Sequence, residues 1–124
     1  MNSNTFVHEW VNAYNNQDFD GFGAMCTDDV TYDCGPFGHA FTGRDALVSH
    51  IREYAAAVPD RKLTPKRVIA NGDVIAVEYD FAGTSSGAVP GLPPAGQPIS
   101  ISFCTILQLR DGRIASQVDY LGGQ

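Results

Sequence analysis

Hydrophobic spacing changes period halfway along this chain, and that change narrows the folds open to it. In the first half, apolar residues recur at three- and four-residue steps. Phe6, Val7, Trp10, Val11 and Tyr14 mark one face of a helix. Asn15-Asn16-Gln17-Asp18 interrupts it, and Asp18 is placed to cap a short second helix carrying Phe19, Phe22 and Cys26, which Asp28-Asp29 would end. Val30 to Cys34 alternates as a strand, and Gly35-Pro36-Phe37-Gly38 reads as a turn. Thr42-Gly43-Arg44-Asp45 predicts a capping-box-like start to a third helix. Leu47, Ile51, Tyr54 and Val58 share one face of that helix, and Pro59 closes it.

Alternation then replaces helical spacing. Leu63 to Ala70 predicts a strand that Pro65 confines to an edge or a late start. Asn71-Gly72-Asp73 is a hairpin signal leading into a strand from Val74 to Phe81. Gly83 to Pro98, rich in Gly, Ser and Pro, reads as a long loop of the kind that often carries function. Ile99–Leu109 and Ile114–Leu121 form a last hairpin around Arg110-Asp111-Gly112. Three helices with one intervening strand, then a four-strand antiparallel meander, predict an α+β fold with N-terminal helices on one face of a curved, mostly antiparallel sheet. At 124 residues, with 44% hydrophobic and 18% charged content, residues 1–124 should make one domain around one core.

Several function classes are disfavoured. The net charge is −6 with no Lys/Arg block, which argues against nucleic acid or an anionic membrane as partner. No apolar run approaches the roughly 18 residues of a membrane span. Met1-Asn2-Ser3-Asn4-Thr5 lacks the basic start and apolar stretch of a signal peptide, so the expected compartment is the cytoplasm. Cys26, Cys34 and Cys104 are odd in number and widely spaced, which suits buried thiols rather than disulfides or zinc. No His/Asp/Glu grouping has metal-ligand spacing, so no metal is expected.

The residue with most chemical content is Asp119. It lies in the last apolar strand, where alternation sets Ala115, Gln117, Asp119 and Leu121 on one face and Ile114, Ser116, Val118 and Tyr120 on the other. A carboxylate there must be solvated, paired or protonated. Facing a cavity, its pKa should rise, making it a general acid or base; facing water near a terminus, it is only a surface charge.

A wider pattern joins these pieces. The segments Trp10-Val11-Asn12-Ala13-Tyr14-Asn15-Asn16-Gln17-Asp18-Phe19-Asp20, Thr27-Asp28-Asp29-Val30-Thr31-Tyr32 and Phe41-Thr42-Gly43-Arg44-Asp45-Ala46-Leu47 come first. Gly83-Thr84-Ser85-Ser86-Gly87, Gly91-Leu92-Pro93-Pro94-Ala95-Gly96 and Arg110-Asp111-Gly112-Arg113-Ile114 through Asp119-Tyr120 follow. In this order they resemble the cone-shaped NTF2-like superfamily, and within it the SnoaL-like polyketide cyclases. That resemblance implies an Asp in the last strand acting as acid/base in an intramolecular aldol ring closure, and Asp119 matches the position. The chain departs from the pattern at Val118 and Gln117, where an aromatic residue and a His are common, and at Ser85, where the Gly-Thr-His-Thr-Gly loop has its His. Ketosteroid isomerases share the layout, but their base, helix-one Tyr and second Asp fall at Cys34, Trp10 and about Thr105. Enzymes resembling limonene-epoxide hydrolase also place Asp-Tyr in the last strand, but the Val74–Phe81 strand offers Glu78 and Asp80 and no Arg.

If Asp119 faces the interior of such a cone, so should Gln117, together with Phe103, Thr105 and Leu107 from the neighbouring strand, Tyr32 and Cys34 from the first strand, and Trp10, Tyr14 and Tyr54 from the helices. Apolar walls with sparse polar atoms suit a small-molecule site. Trp10 and Tyr14, at helical spacing, fit plain core better than pocket, Tyr32 fits either alike, and Cys34 fits a filler role, with His39 the nearby candidate base in sequence. His39 is either exposed surface or an acid at the pocket mouth. His50 and His8, off their helix stripes, read as solvated. The combined expectation is a cofactor-independent cyclase or isomerase acting on an apolar carbonyl compound. Asp119 would carry the proton, and Gln117, Tyr32, Tyr14 or His39 would donate to the enolate. Two other readings stay open: an epoxide-opening enzyme using the same Asp, or a binding or dimerisation module. A homodimer through the outer sheet face is expected, as in such relatives.

Overall fold

The structure, a computed structural model, describes residues 2–35, 38–88 and 92–121. Two helices come first. The helix α1, Ser3–Asn15, starts at Asn2, whose side chain accepts from the backbone N–H of Asn4 and Thr5. Its partner α2, Phe19–Ala24, starts at Asp18, whose carboxylate accepts from Gly21 N at 2.9 Å. Both caps satisfy N–H groups that the first turn leaves unpaired. The strands β1 (Cys26–Cys34) and β2 (His39–Thr42) follow, then α3 (Arg44–Ala57). The chain ends in β3 (Lys62–Asn71), β4 (Val74–Thr84), β5 (Pro98–Arg110) and β6 (Arg113–Leu121).

All six strands form one open sheet in the order β2-β1-β6-β5-β4-β3. Every neighbouring pair is antiparallel except β1 with β6, which is parallel. The meander β3–β6 is the one the sequence predicts, and the helices cover one face, as an α+β layout requires. Asn15 fastens α1 to the sheet edge: its amide accepts from Leu63 N at 2.8 Å and donates to Leu63 O at 3.1 Å. Pro65 sits on edge strand β3, the position in a sheet that tolerates proline, beside a register shift between Pro65 and Arg67. Among the described residues no helix is long and apolar enough to cross a membrane.

Four expectations need correction. Cys26 does not ride on the second helix; it opens β1 opposite Ile114. The helix stops at Ala24 because Gly21 and Gly23 weaken it, while pairing with β6 claims the residues beyond. A second strand, β2, precedes α3, pairing Tyr32 with Phe41 and Cys34 with His39. Four residues are too few to display a period. Of the predicted turn, Pro36 and Phe37 lie outside the described residues. No side chain caps α3: Thr42 is held in the ladder opposite Thr31, and Gly43 takes the cap position with φ 103°. That conformation favours glycine.

The fourth correction concerns β6. Ile114, Gln117 and Asp119 are all buried, so alternation breaks between 114 and 117. Leu109 pairs with Ile114 but Gln108 pairs with Ser116, leaving Ala115 as the extra residue of a β-bulge. The bulge lets Ile114 enter the core and still turns Gln117 and Asp119 inward.

Candidate active site

Asp119 lies 7% exposed on the inner face of β6, opposite Thr105 of β5. Three side chains donate to its carboxylate. Tyr32, from β1, donates its hydroxyl to Oδ2 at 2.6 Å. Thr105 donates to Oδ1 at 2.7 Å, and Gln117 Nε2 reaches the same oxygen at 3.3 Å. Tyr79 of β4 stands behind Thr105 with 2.8 Å between hydroxyl oxygens. Because Thr105 spends its proton on Asp119, Tyr79 is the donor in that pair. The result is a chain from Tyr79 through Thr105 to Asp119. Such donors favour the carboxylate, but burial opposes them and wins: the Asp119 pKa is raised above its ordinary value of 3.8. The same burial, with the Asp119 charge nearby, drives the Tyr32 and Tyr79 hydroxyls upward, so both stay protonated donors.

Asp119 opens onto a half-enclosed cavity of about 80 Å³, room for several water-sized groups. Trp10 and Tyr14 of α1 line it, with Phe22, Ile51, Leu63, Phe81, Ile101 and Phe103 supplying apolar wall. Tyr79 stacks on Phe103, with centroids 5.4 Å apart. Tyr14 is pushed up to about 12 by burial, against the opposing pull of Arg61, whose guanidinium lies 4.8 Å from the Tyr14 ring centroid. Leu92, from the long loop, also touches the cavity. The loop is pinned by Ser85, which donates to Pro93 O at 2.7 Å and accepts from Gly87 N at 3.0 Å. Ser85 therefore serves the turn; residues 89–91 of that loop lie outside the described set.

At one end of the cavity the rings of His39, His50 and Tyr54 meet. His50 lies 4.7 Å from His39, 4.8 Å from Tyr54 and 5.2 Å from Tyr32, centroid to centroid. Burial, with His39 beside it, pulls the His50 pKa down to about 4, so at neutral pH this imidazole is uncharged. His50 is thus a wall residue and not a solvated one. Helical spacing carries the signal: position 50 is three after Leu47 and four before Tyr54, on the flank of the apolar stripe. Tyr79 is likewise detectable, by strand alternation with Val77 and Phe81 in β4. Arg61 has no such signal, since its burial depends on α1 folding over it.

Of the residues singled out from the sequence, Trp10, Tyr14, Tyr32, Cys34, His39, Tyr54, Phe103, Gln117 and Asp119 line this one cavity. Thr105 and Leu107 do not. Both are fully buried, Leu107 in the core and Thr105 behind the carboxylate it supports. Cys34 and His39 are register partners on β1 and β2. Among the described residues no group of three or more His, Cys, Asp and Glu is arranged to hold a metal ion.

The model of the SnoaL-like domain matches residues 7–117, nearly the whole chain. The chain belongs to the SnoaL-like domain family. No curated protein matches it. Solved structures share the fold. A candidate SnoaL-like polyketide cyclase from Jannaschia sp. CCS1 is 17% identical with a TM-score of 0.85, covering 96% of this chain and 84% of its own. A candidate polyketide cyclase from Xanthomonas campestris is 25% identical, TM-score 0.79, covering 97% and 90%. An epoxide hydrolase of the LEH-like type from M. tuberculosis is 23% identical, TM-score 0.75, covering 94% and 79%. The NTF2-like architecture expected from the sequence is therefore the observed one, and this SnoaL-like domain shares it with proteins described as cyclases and as an epoxide hydrolase.

Proposed function

We propose that this SnoaL-like domain is an acid/base enzyme that moves a proton at a carbon next to a carbonyl of a small apolar substrate, leading to cyclisation or isomerisation. The observation that carries this reading is Asp119: a buried carboxylate with a raised pKa, held by three donors at the wall of a largely aromatic cavity. In the first step an Asp119 oxygen takes the α-proton, and the C–H electron pair moves to the carbonyl oxygen as an enolate. The enolate carbon then attacks a second carbonyl, whose oxygen takes the proton back from Asp119 as it becomes a hydroxyl, or itself recovers that proton at a new position. A raised pKa brings the carboxylate closer to the proton affinity that neutral-pH catalysis needs. Tyr32 and the Gln117 amide N–H donate to Asp119; of the other donors expected from the sequence, Tyr14 and His39 also line the cavity and would be the ones to meet the enolate.

Exchange of the α-protons of cyclohexanone in deuterated buffer, followed by NMR, tests this without knowledge of the natural substrate. Asp119→Asn should keep the fold and slow the enzyme-dependent exchange by roughly 100-fold or more, the usual weight of a positioned acid/base. Unchanged exchange in that variant would remove Asp119 from the mechanism. The epoxide-opening alternative requires an arginine at the aspartate. Among the described residues none bonds to Asp119, which favours the carbonyl reading. For the expected homodimer, the outer face of the sheet offers Tyr120, 55% exposed, and light scattering on the purified protein would give its mass.

A further inference from the structure

Two side chains that line the cavity each carry a buried polar atom with no hydrogen-bond partner among the described residues: the indole N–H of Trp10 and the side-chain carbonyl oxygen of Gln117. Trp10 is 2% exposed and Gln117 5%, so bulk water does not serve either. Leaving a buried donor or acceptor unmatched costs free energy that a native fold rarely concedes without a reason. The orientation of Gln117 follows from its neighbour. Its Nε2 donates to Asp119, and the reversed amide would set two acceptors against each other, so Oε1 is the atom left over. The indole has one donor and no acceptor, so Trp10 can be satisfied only by an acceptor. The hydroxyls bonded into the network around the carboxylate are occupied. Tyr32 and Thr105 donate to Asp119, and Tyr79 donates to Thr105.

From this pair of unmatched atoms we propose that Trp10 and Gln117 are specificity-determining residues that select a hydroxy-carbonyl ligand, its carbonyl oxygen accepting from Trp10 and its hydroxyl donating to Gln117. The inference rests on the carbonyl reading above and narrows its substrate class. A water molecule, being donor and acceptor at once, offers both kinds of bond. A ligand gains over that water only by reproducing both bonds. A plain ketone would strand Gln117, and a plain alcohol would have to serve both atoms through its one oxygen. For a carbonyl substrate, the indole N–H would also face the oxygen on which enolate charge develops, where a preplaced donor has most effect.

Trp10 is the single tryptophan of the chain, so the indole N–H gives one resonance in the ¹H–¹⁵N spectrum of labelled protein. Titration of the wild-type protein with 3-hydroxycyclohexanone, cyclohexanone and cyclohexanol provides the test. The hydroxy-ketone should bind roughly 3- to 10-fold more tightly than either single-function probe, the weight of one added hydrogen bond. It should shift the indole resonance downfield. Trp10→Phe should abolish the preference for the carbonyl and Gln117→Leu the preference for the hydroxyl. An indole resonance unmoved while backbone resonances report binding would overturn the proposal, as expected if the N–H rests on the Tyr79 ring 5.6 Å away. Equal affinity for all three probes, or binding of none, would overturn it as well. Because the readout is binding, loss of this preference leaves the Asp119 exchange result standing, and failure of the exchange test leaves this preference measurable.

Discussion

Among the donors of the site, Tyr32 does most to hold the Asp119 pKa down against burial. Its hydroxyl makes the shortest of the three bonds to the carboxylate, at 2.6 Å. Hydrogen bonds to the charged form lower a carboxyl pKa, while burial raises it. Tyr32→Phe deletes one opposing donor and keeps the ring, so the Asp119 pKa should rise further and the acid limb of the pH–rate profile should move to higher pH. Stability should fall by about 1.5–3 kcal/mol, the weight of a hydrogen bond to a charged group. Chemical denaturation and a pH–rate series on the variant check the two halves. Asp119 itself is readable in the sequence as an acid in an apolar strand. Its partners are less so, because Thr105 looks like any β-branched strand residue until the register sets it across from Asp119.

Among the elements, one tight junction is where the end of β4 passes the end of α3. A Cβ on Gly83 would collide with Val58 Cγ1 and crowd Asp60 and the Arg61 backbone, whereas one on Gly35 would meet nothing among the described residues. Gly83→Ala should therefore cost about 1–3 kcal/mol through overpacking, and Gly35→Ala should change stability little. Thermal melts of the two variants side by side test this. Long elements were legible because periodicity accumulates over many residues: α1, α3 and the β3–β6 meander all follow from spacing and turn residues. What stayed hidden is short or non-local. Strand β2 has four residues, α2 has six, and the bulge at Ala115 exists only in relation to β5. His50 was misread for another reason. A histidine flanking an apolar stripe counts as polar in any hydropathy reading, although its ring packs among Tyr32, Phe41 and Tyr54.

The whole molecule combines these local choices into opposed pH dependences. His50 has a folded pKa near 4 against an ordinary 6.5, so between those values the unfolded chain binds more protons than the native one. The stability tied to neutral His50 is present above pH 6.5 and is lost as pH falls toward 4. A His50→Phe variant should show a flatter decline over that range in urea melts; an unchanged slope would place His50 in solvent. Asp119 has the reverse sign. Its folded pKa is raised, so the native state binds more protons, and its contribution is complete below about 3.8 and lost as pH rises through the folded value. Ionising Asp119 in the folded protein therefore costs stability, which is the expected signature of a group retained for chemistry. The most direct measurement is a ¹³C NMR titration of the Asp119 carboxyl carbon, assigned by comparison with Asp119→Asn. A midpoint clearly above 3.8 is the predicted result; a midpoint at or below 3.8 would contradict a carboxylate whose basicity is set by burial in the cavity.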